Sequence, residues 1–206
     1  MKLSYKYRIY LNAEQAKLVQ QNMNFCNFLY NSALQERKQF YTRFGKSTSY
    51  YSQCEALPLI KQEFPEQTST IYSQSLQFVL KRLDSAYQNF FRRVKSGQKP
   101  GFPRFKNQDR FKSITFPQCD LHTGGIRILE NKKLKIFGIL GEVKIKWHRP
   151  FKGRCKQVHL VKQADRFYIV LSCDDVPVRP LARTGNEIGI DMGIESFITM
   201  DDGAVA

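Results

Sequence analysis

The sequence predicts an α+β fold in which a small β-barrel or sandwich is interrupted by a helical insertion. Three observations lead there. Apolar residues alternate over residues 3 to 11, recur at helical spacing over 13 to 96, and alternate again in six short runs after Gly97. The isolated first strand needs a sheet, and pairing with the later strands is the economical solution. That pairing makes the helices an insertion within one β unit.

Leu3, Tyr5, Tyr7, Ile9 and Leu11 fall on one face of the opening strand, with Lys6, Arg8 and Tyr10 on the other. Asn12, with Gln15 three positions on, is a capping-box signal. Val19, Met23, Cys26, Tyr30, Ala33 and Leu34 then mark a helix to about Arg43, before Gly45. A shorter helix is expected between Ser49 and Lys61, interrupted near Pro58. A second long helix is expected from about Thr68 to Lys95. Its stripe is Tyr72, Leu76, Val79, Leu80, Leu83, Tyr87, Phe90 and Val94.

Strands are expected at Ser113 to Phe116, Ile126 to Leu129, Leu134 to Phe137, Val143 to Trp147, Val158 to Val161 and Phe167 to Cys173. Gly, Pro and Asn turns separate them, the pattern of a small barrel or sandwich. Pro177, Pro180 and Gly185 mark a linker. Glu187 to Asp191 and Phe197 to Met200 then read as a strand pair. A hairpin alone is marginal in water, so this pair reads as the beginning of a further domain.

Composition narrows the function. Of 206 residues, 33 are Lys or Arg and 18 are Asp or Glu, a formal charge of +15. Such an excess repels itself in a compact chain and calls for a polyanionic partner. Aromatic content of 13% is unlike a disordered tail. No apolar run approaches the roughly 20 residues that span a bilayer, and residues 1–10 have no signal-peptide core. Neither a basic amphipathic helix with a continuous apolar face nor a polybasic tail points to a membrane surface. The cysteines (Cys26, Cys54, Cys119, Cys155 and Cys173) are odd in number and lack a C-x-x-C pair. That argues against a disulfide framework and against a zinc site in this stretch, and it fits buried thiols in a reducing cytoplasm.

The charge is clustered. Lys81, Arg82, Arg92, Arg93, Lys95, Lys99, Arg104, Lys106, Arg110 and Lys112 sit where helices give way to strands, opposed by Asp84 and Asp109. Tyr87, Phe90, Phe91, Phe102, Phe105 and Phe111 are interleaved. Cations contact phosphates, and rings stack on unpaired bases or pack against ribose. Phe90 belongs to the helical stripe and is expected in the core. For Phe102 and Phe105, flanking Pro103, core packing is the favoured reading over base stacking. Cations in a last helical turn also complement the helix dipole, which accounts for one of them rather than ten. The candidate nucleic-acid contacts are Arg92, Arg93, Lys95, Lys99, Arg104, Phe105 and Lys106.

The run Ile188-Gly189-Ile190-Asp191-Met192-Gly193-Ile194 sets one carboxylate in an apolar strand. Such an Asp must be paired, hydrated or bound to a cation, or be satisfied by neighbouring backbone. The pattern occurs in RNase H-like nucleases and in actin-like ATPases. In the latter the strand opens the fold, whereas here nearly all of the chain precedes it.

Together these features resemble the N-terminal part of the TnpB (OrfB) proteins of insertion sequences, relatives of compact type V CRISPR effectors. The matching residues are Tyr5-Lys6-Tyr7-Arg8-Ile9-Tyr10-Leu11-Asn12, Phe28-Leu29-Tyr30-Asn31 and Tyr87-Gln88-Asn89-Phe90-Phe91-Arg92-Arg93. Gly101-Phe102-Pro103-Arg104-Phe105-Lys106 and Gly189-Ile190-Asp191-Met192-Gly193 complete the set. The resemblance implies an OB-like wedge β-barrel (1–12 and 98–180) interrupted by a helical recognition domain (13–97). It implies that 181–206 are a linker and the first strands of an incomplete RNase H-like RuvC nuclease domain. It also implies an RNA-guided DNA endonuclease, often labelled a transposase, with guide RNA and target DNA as partners and no small-molecule substrate. Base pairing then supplies most of the sequence specificity.

Asp191 matches the first RuvC carboxylate, so the resemblance makes it catalytic and a Mg²⁺ ligand in the complete nuclease. The family needs further carboxylates, and Glu195, Asp201 and Asp202 are poor substitutes. Two-metal cleavage requires several converging carboxylates, so this chain by itself is expected not to cleave DNA. A nuclease-deficient RNA-guided DNA-binding regulator is the alternative. No nucleophilic Tyr in a His-rich context supports a transposase that joins DNA itself.

Overall fold

The computed structural model describes residues 1–118, 121–122, 124–177, 185, 187–193 and 197–200. Strand β1 (Leu3–Tyr10) leads into helix α1 (Ala13–Phe44). Three short helices follow: α2 (Tyr50–Glu55), α3 (Leu57–Glu63) and α4 (Pro65–Ser69). Helix α5 (Ser73–Lys95) completes the insertion. Then come β2 (Ser113–Phe116), β3 (Ile126–Ile128), β4 (Leu134–Ile136), β5 (Lys144–Ile145), β6 (Arg154–Gln163) and β7 (Arg166–Asp174). The fold is mixed α and β, and its sheets are antiparallel.

The first strand lies inside the sheet. The five-stranded order is β2-β6-β7-β1-β5, with Tyr5 opposite Leu171 and Ile9 opposite both Phe167 and Ile145. Its alternation explains this placement: Tyr5, Tyr7 and Ile9 are buried, while Lys6 and Tyr10 are exposed. The hairpin β3-β4 joins the edge of β5 through one bridge, where Leu134 and Val143 exchange backbone hydrogen bonds of 2.8 and 2.9 Å.

Among the described residues no ladder closes β2 onto β3, so the expected barrel is not closed by hydrogen bonds. Side chains fill the gap instead. The Tyr72 ring lies 6.1 Å from Phe116 on β2 and 5.5 Å from Phe137 beyond β4. Gly125, just before β3, is held so close that a Cβ there would sit 2.6 Å from the Phe116 ring.

The capping box at Asn12 and Gln15 is present in both directions, and α1 ends on left-handed Gly45. The interruption expected near Pro58 falls at Ala56, which splits the segment into α2 and α3 with Pro58 in the first turn of α3. Two other helix boundaries differ from expectation. Pro65 opens α4, which sequence periodicity missed. Helix α5 starts at Ser73 rather than near Thr68, and Tyr72 is its N-cap residue, not part of its stripe.

Two polar locks tie the helices together and to the β unit. Arg37 is 4% exposed. It donates to Gln53 Oε1 at 2.9 Å and Asp84 Oδ1 at 3.3 Å, and its guanidinium lies 5.2 Å from the Tyr87 centroid. Asn22 donates to the Thr70 carbonyl at 3.2 Å and accepts from the Thr70 hydroxyl at 2.8 Å. Gly138 (φ +75°) presses on that same Thr70 backbone: a Cβ would lie 1.9 Å from the Thr70 carbonyl oxygen.

Cys26 is buried and Cys54 half-buried as free thiols, Cys155 faces Cys173 across β6 and β7, and Cys119 lies outside the described residues. No described helix is long and apolar enough to cross a membrane.

Candidate nucleic-acid interface

Helix α5 buries Leu76, Val79, Leu80, Leu83 and Tyr87, then leaves the core. Every residue from 91 to 100 is exposed. Phe91 is 51% and Val94 50% exposed, so the stripe predicted to reach Val94 ends at Tyr87, with Phe90 half-buried. Arg92, Arg93 and Lys95 occupy this free last turn, and Lys99 follows in the exposed connection. Gly97 (φ +67°) turns the chain back.

The returning segment docks on α1. Asn31 donates to the Lys106 carbonyl at 2.8 Å and accepts from the Lys106 N–H at 2.9 Å. The Lys106 ammonium then lies 4.3 Å from the Tyr30 centroid. Pro103 is buried, and the Phe102 ring sits edge-on against Tyr87 at 5.6 Å and Phe90 at 5.2 Å. Lys38, which the sequence gave no reason to single out, lies 4.5 Å from the Phe105 centroid and 5.4 Å from Phe102. Phe102 and Phe105 remain 45% and 50% exposed. These rings therefore rest on the surface with one side open to solvent, which corrects the core packing favoured from the sequence.

Between this segment and α5 runs a groove of about 700 Å³, lined by Tyr30, Arg82, Asn89, Arg104, Phe105 and Lys106, among others. Of the predicted contacts, Arg104, Phe105 and Lys106 line it. Arg92 reaches it indirectly, donating to Asn89 Oδ1 at 3.3 Å. Arg93, Lys95 and Lys99 lie on the exposed helix end beyond.

Two of the clustered residues have other roles. Arg82 donates to the Ser113 carbonyl at 3.2 Å and lies 4.7 Å from the Phe111 centroid, so it ties α5 to β2. Phe111 is 1% exposed and packs in the core, so it cannot stack on a base. Sequence spacing missed both because their partners lie far along the chain, Ser113 for Arg82 and Tyr30 on α1 for Phe111.

The groove is electrostatically uncompensated. Burial, and then the Arg82 guanidinium, hold Lys106 below the ordinary lysine range. Burial likewise lowers Arg82. The carboxylate of Asp84 is engaged by Arg37, Lys81 and Gln88, and no ion pair among the described residues reaches Arg104 or Lys106. Two neighbouring cations in a half-buried site with no counter-charge favour an incoming anion.

Asp191 sits on β8 (Ile190–Asp191), which pairs with β9 (Thr199–Met200) so that Asp191 faces Thr199. The apolar strand expected from its sequence is exposed: Ile190 is 58% and Met192 69% accessible, and Asp191 itself faces water. Among the described residues nothing stacks on this hairpin to bury it, and no group of three His, Cys, Asp or Glu side chains converges anywhere. Glu195, Asp201 and Asp202 lie outside the described residues.

A family model described as a helix-turn-helix domain, HTH_OrfB_IS605, matches residues 1–46. Those residues fold here as one strand and one unbroken helix, with no turn between two helices. A protein of Streptomyces pristinaespiralis named as an RNA-guided DNA endonuclease is 26% identical over 98% of this chain and 49% of its own length. InsQ of Escherichia coli K12, named likewise, is 24% identical over 98% of this chain and 48% of its own. The chain thus spans about half the length of the relatives it matches. A solved Cas12f1–sgRNA–target DNA complex aligns with 100% of this chain and 54% of its own, at 14% identity and a TM-score of 0.47. Residues 1–46 thus match the OrfB_IS605 helix-turn-helix model, and the chain as a whole is similar in sequence to about half of each of two proteins named as RNA-guided DNA endonucleases.

Proposed function

We propose that this chain holds nucleic acid within an RNA-guided DNA endonuclease of the TnpB type, gripping guide RNA and the guide–target duplex at the α5 junction. The observation that carries this reading is the groove beside Lys106, where cations meet without a counter-charge and exposed rings stand beside them. In this reading β1 and residues 98–180 form the wedge β-barrel, and the helices between them the recognition domain. Residues 181–206 open the RuvC domain, with Asp191 as its first metal-binding carboxylate, acting in the cytoplasm.

The described residues do not by themselves fit a Mg²⁺ site. Asp191 is exposed, and among the described residues no group of three His, Cys, Asp or Glu side chains converges. Two-metal hydrolysis needs several such ligands, so no cleavage step is assigned to the residues described.

The test replaces Arg92, Arg93, Lys95, Arg104 and Lys106 with Ala and measures binding of an RNA hairpin and an RNA–DNA duplex against salt. Each lost phosphate contact lowers the log–log slope by roughly 0.7 to 0.9. The expected fall is therefore about 3.5 to 4.5 if all five engage. An unchanged slope removes the junction from the binding surface.

A further inference from the structure

A second cationic surface lies on the outward face of the five-stranded sheet. Tyr5, Tyr7 and Ile9 point into the core, so Lys6, Arg8 and Tyr10 point out. Register aligns them with other cations and rings. Arg8 pairs with Tyr168, Tyr10 pairs with Lys144, and the Lys146 N–H donates to the Arg8 carbonyl at 2.9 Å. Arg166 shares the outward parity of Tyr168 on β7.

Rings hold these charges in place. The Lys6 ammonium lies 4.2 Å from the Tyr168 centroid and also donates to Gln163 Oε1. The Arg8 guanidinium lies 4.9 Å from the Tyr10 ring, with Lys144 6.0 Å away on the same ring. A cation lying on a ring keeps its full charge, and it has less side-chain entropy left to lose on binding.

No carboxylate occurs within β1, β5 or residues 166–172 of β7, and Glu142, two residues before Lys144, is held by Lys133 at 2.7 Å. On the outward positions of the described strands Asp174 lies at the far end, opposite Arg154. No ion pair among the described residues joins Asp165, in the β6–β7 turn, to Lys6 or Arg166. Tyr10 is 40% exposed among these charges, an open ring edge beside a run of phosphate-binding groups.

From this arrangement we infer that the outward face of β5-β1-β7 binds an unpaired strand of RNA, separately from the junction groove. The inference rests on the reading that the chain holds guide RNA. A flat face of cations and tyrosines suits a single strand, whose phosphates cross the strands while its bases meet the rings. A duplex keeps its bases stacked and offers this face only one line of phosphates.

The experiment compares the unsubstituted chain, a sheet-face variant (Lys6→Gln, Arg8→Gln, Lys144→Gln, Lys146→Gln) and the five-alanine junction variant. Fluorescence anisotropy reads binding of unpaired polyuridine RNA across a salt series, with the matching DNA strand and polyglutamate as further probes. The sheet-face variant is expected to lose roughly 0.7 in log–log slope per contact, two to three in all for four cations. The loss should persist in the junction background. A variant with Lys6, Lys144 and Lys146 all changed to Arg retains the slope, and thermal unfolding confirms that each variant folds.

An unchanged slope in the sheet-face variant, with a reduced one in the junction variant, overturns this inference alone. Tighter binding of DNA than of RNA overturns the choice of RNA, and equal binding of polyglutamate overturns nucleic acid as the occupant. Failure of the unsubstituted chain to bind any RNA overturns both readings.

Discussion

Asn31→Ala separates the shape of the junction from its charge. The substitution leaves the formal charge at +15, yet it removes both side-chain hydrogen bonds to the Lys106 backbone, of 2.8 and 2.9 Å. A neutral hydrogen bond contributes about 0.5–1.5 kcal/mol net, so the docking of residues 101–106 on α1 weakens by about 1–3 kcal/mol. What remains is the Lys106–Tyr30 contact and the packing of Phe102 on Tyr87 and Phe90. If binding needs the docked segment, RNA affinity falls by a factor of roughly 5 to 150, the ratio equivalent to that energy. Anisotropy titration of an RNA hairpin at fixed salt measures the affinity, and a salt series measures the slope. Unaltered affinity in Asn31→Ala, beside a clear loss in a variant lacking Arg104 and Lys106, would refute the claim that the clasp positions the binding groups.

Three further perturbations follow from the same structure. Arg37→Ala leaves the mostly buried Asp84 carboxylate without its main partner. It should cost about 3–5 kcal/mol of stability, read as the shift in denaturant midpoint at constant m-value; Asp84 and Arg37 replaced together should cost less than their separate losses. Gly138→Ala puts a Cβ into the Thr70 backbone at a left-handed φ. It should destabilise by about 2–5 kcal/mol from strain and overpacking together, whereas Gly97→Ala, with open space around it, should lose only the left-handed penalty.

His159 is held below the ordinary histidine range by burial and then by the Arg82 guanidinium, with Thr115 and Ser172 hydroxyls beside its two ring nitrogens. Its folded pKa is depressed, so the unfolded chain takes up the proton first. Its contribution is full above about pH 6.5 and is lost as pH falls through the lower folded value. The melting temperature should therefore drop on acidification below pH 6.5, and His159→Gln should flatten that drop.

Local chemistry was legible in the sequence wherever one segment decides its own structure. The Asn12–Gln15 box, the Gly45 stop, the inward tyrosines of β1 and the span of β2 all follow from neighbours within a few residues. What was not legible depends on distant partners. Arg82 and Phe111 were indistinguishable from the exposed cations and rings around them until β2 packed on α5. The clasp of Asn31 on Lys106 joins positions 75 apart, and no periodicity relates them. Lys38 has its place between two rings only once residues 102–105 have folded back. Asp191 errs in the other direction: its apolar neighbours suggested burial, yet burial requires a second layer that the described residues do not supply.

The place of β1 in the middle of the sheet sets a timetable for biosynthesis. Its partners on β7 begin at Arg166, and at 5–20 residues per second the ribosome takes on the order of ten to thirty seconds to deliver them. During that interval Tyr5, Tyr7 and Ile9 form an unmatched apolar edge, the kind of surface chaperones cover and aggregates recruit. The helices emerge meanwhile and assemble from contacts of shorter range, so the nascent chain must carry a finished insertion on an unfinished foundation. Slow translation or premature release before residue 174 would leave that edge exposed, and yield in the cell would track the supply of the last strand more closely than the stability of the first.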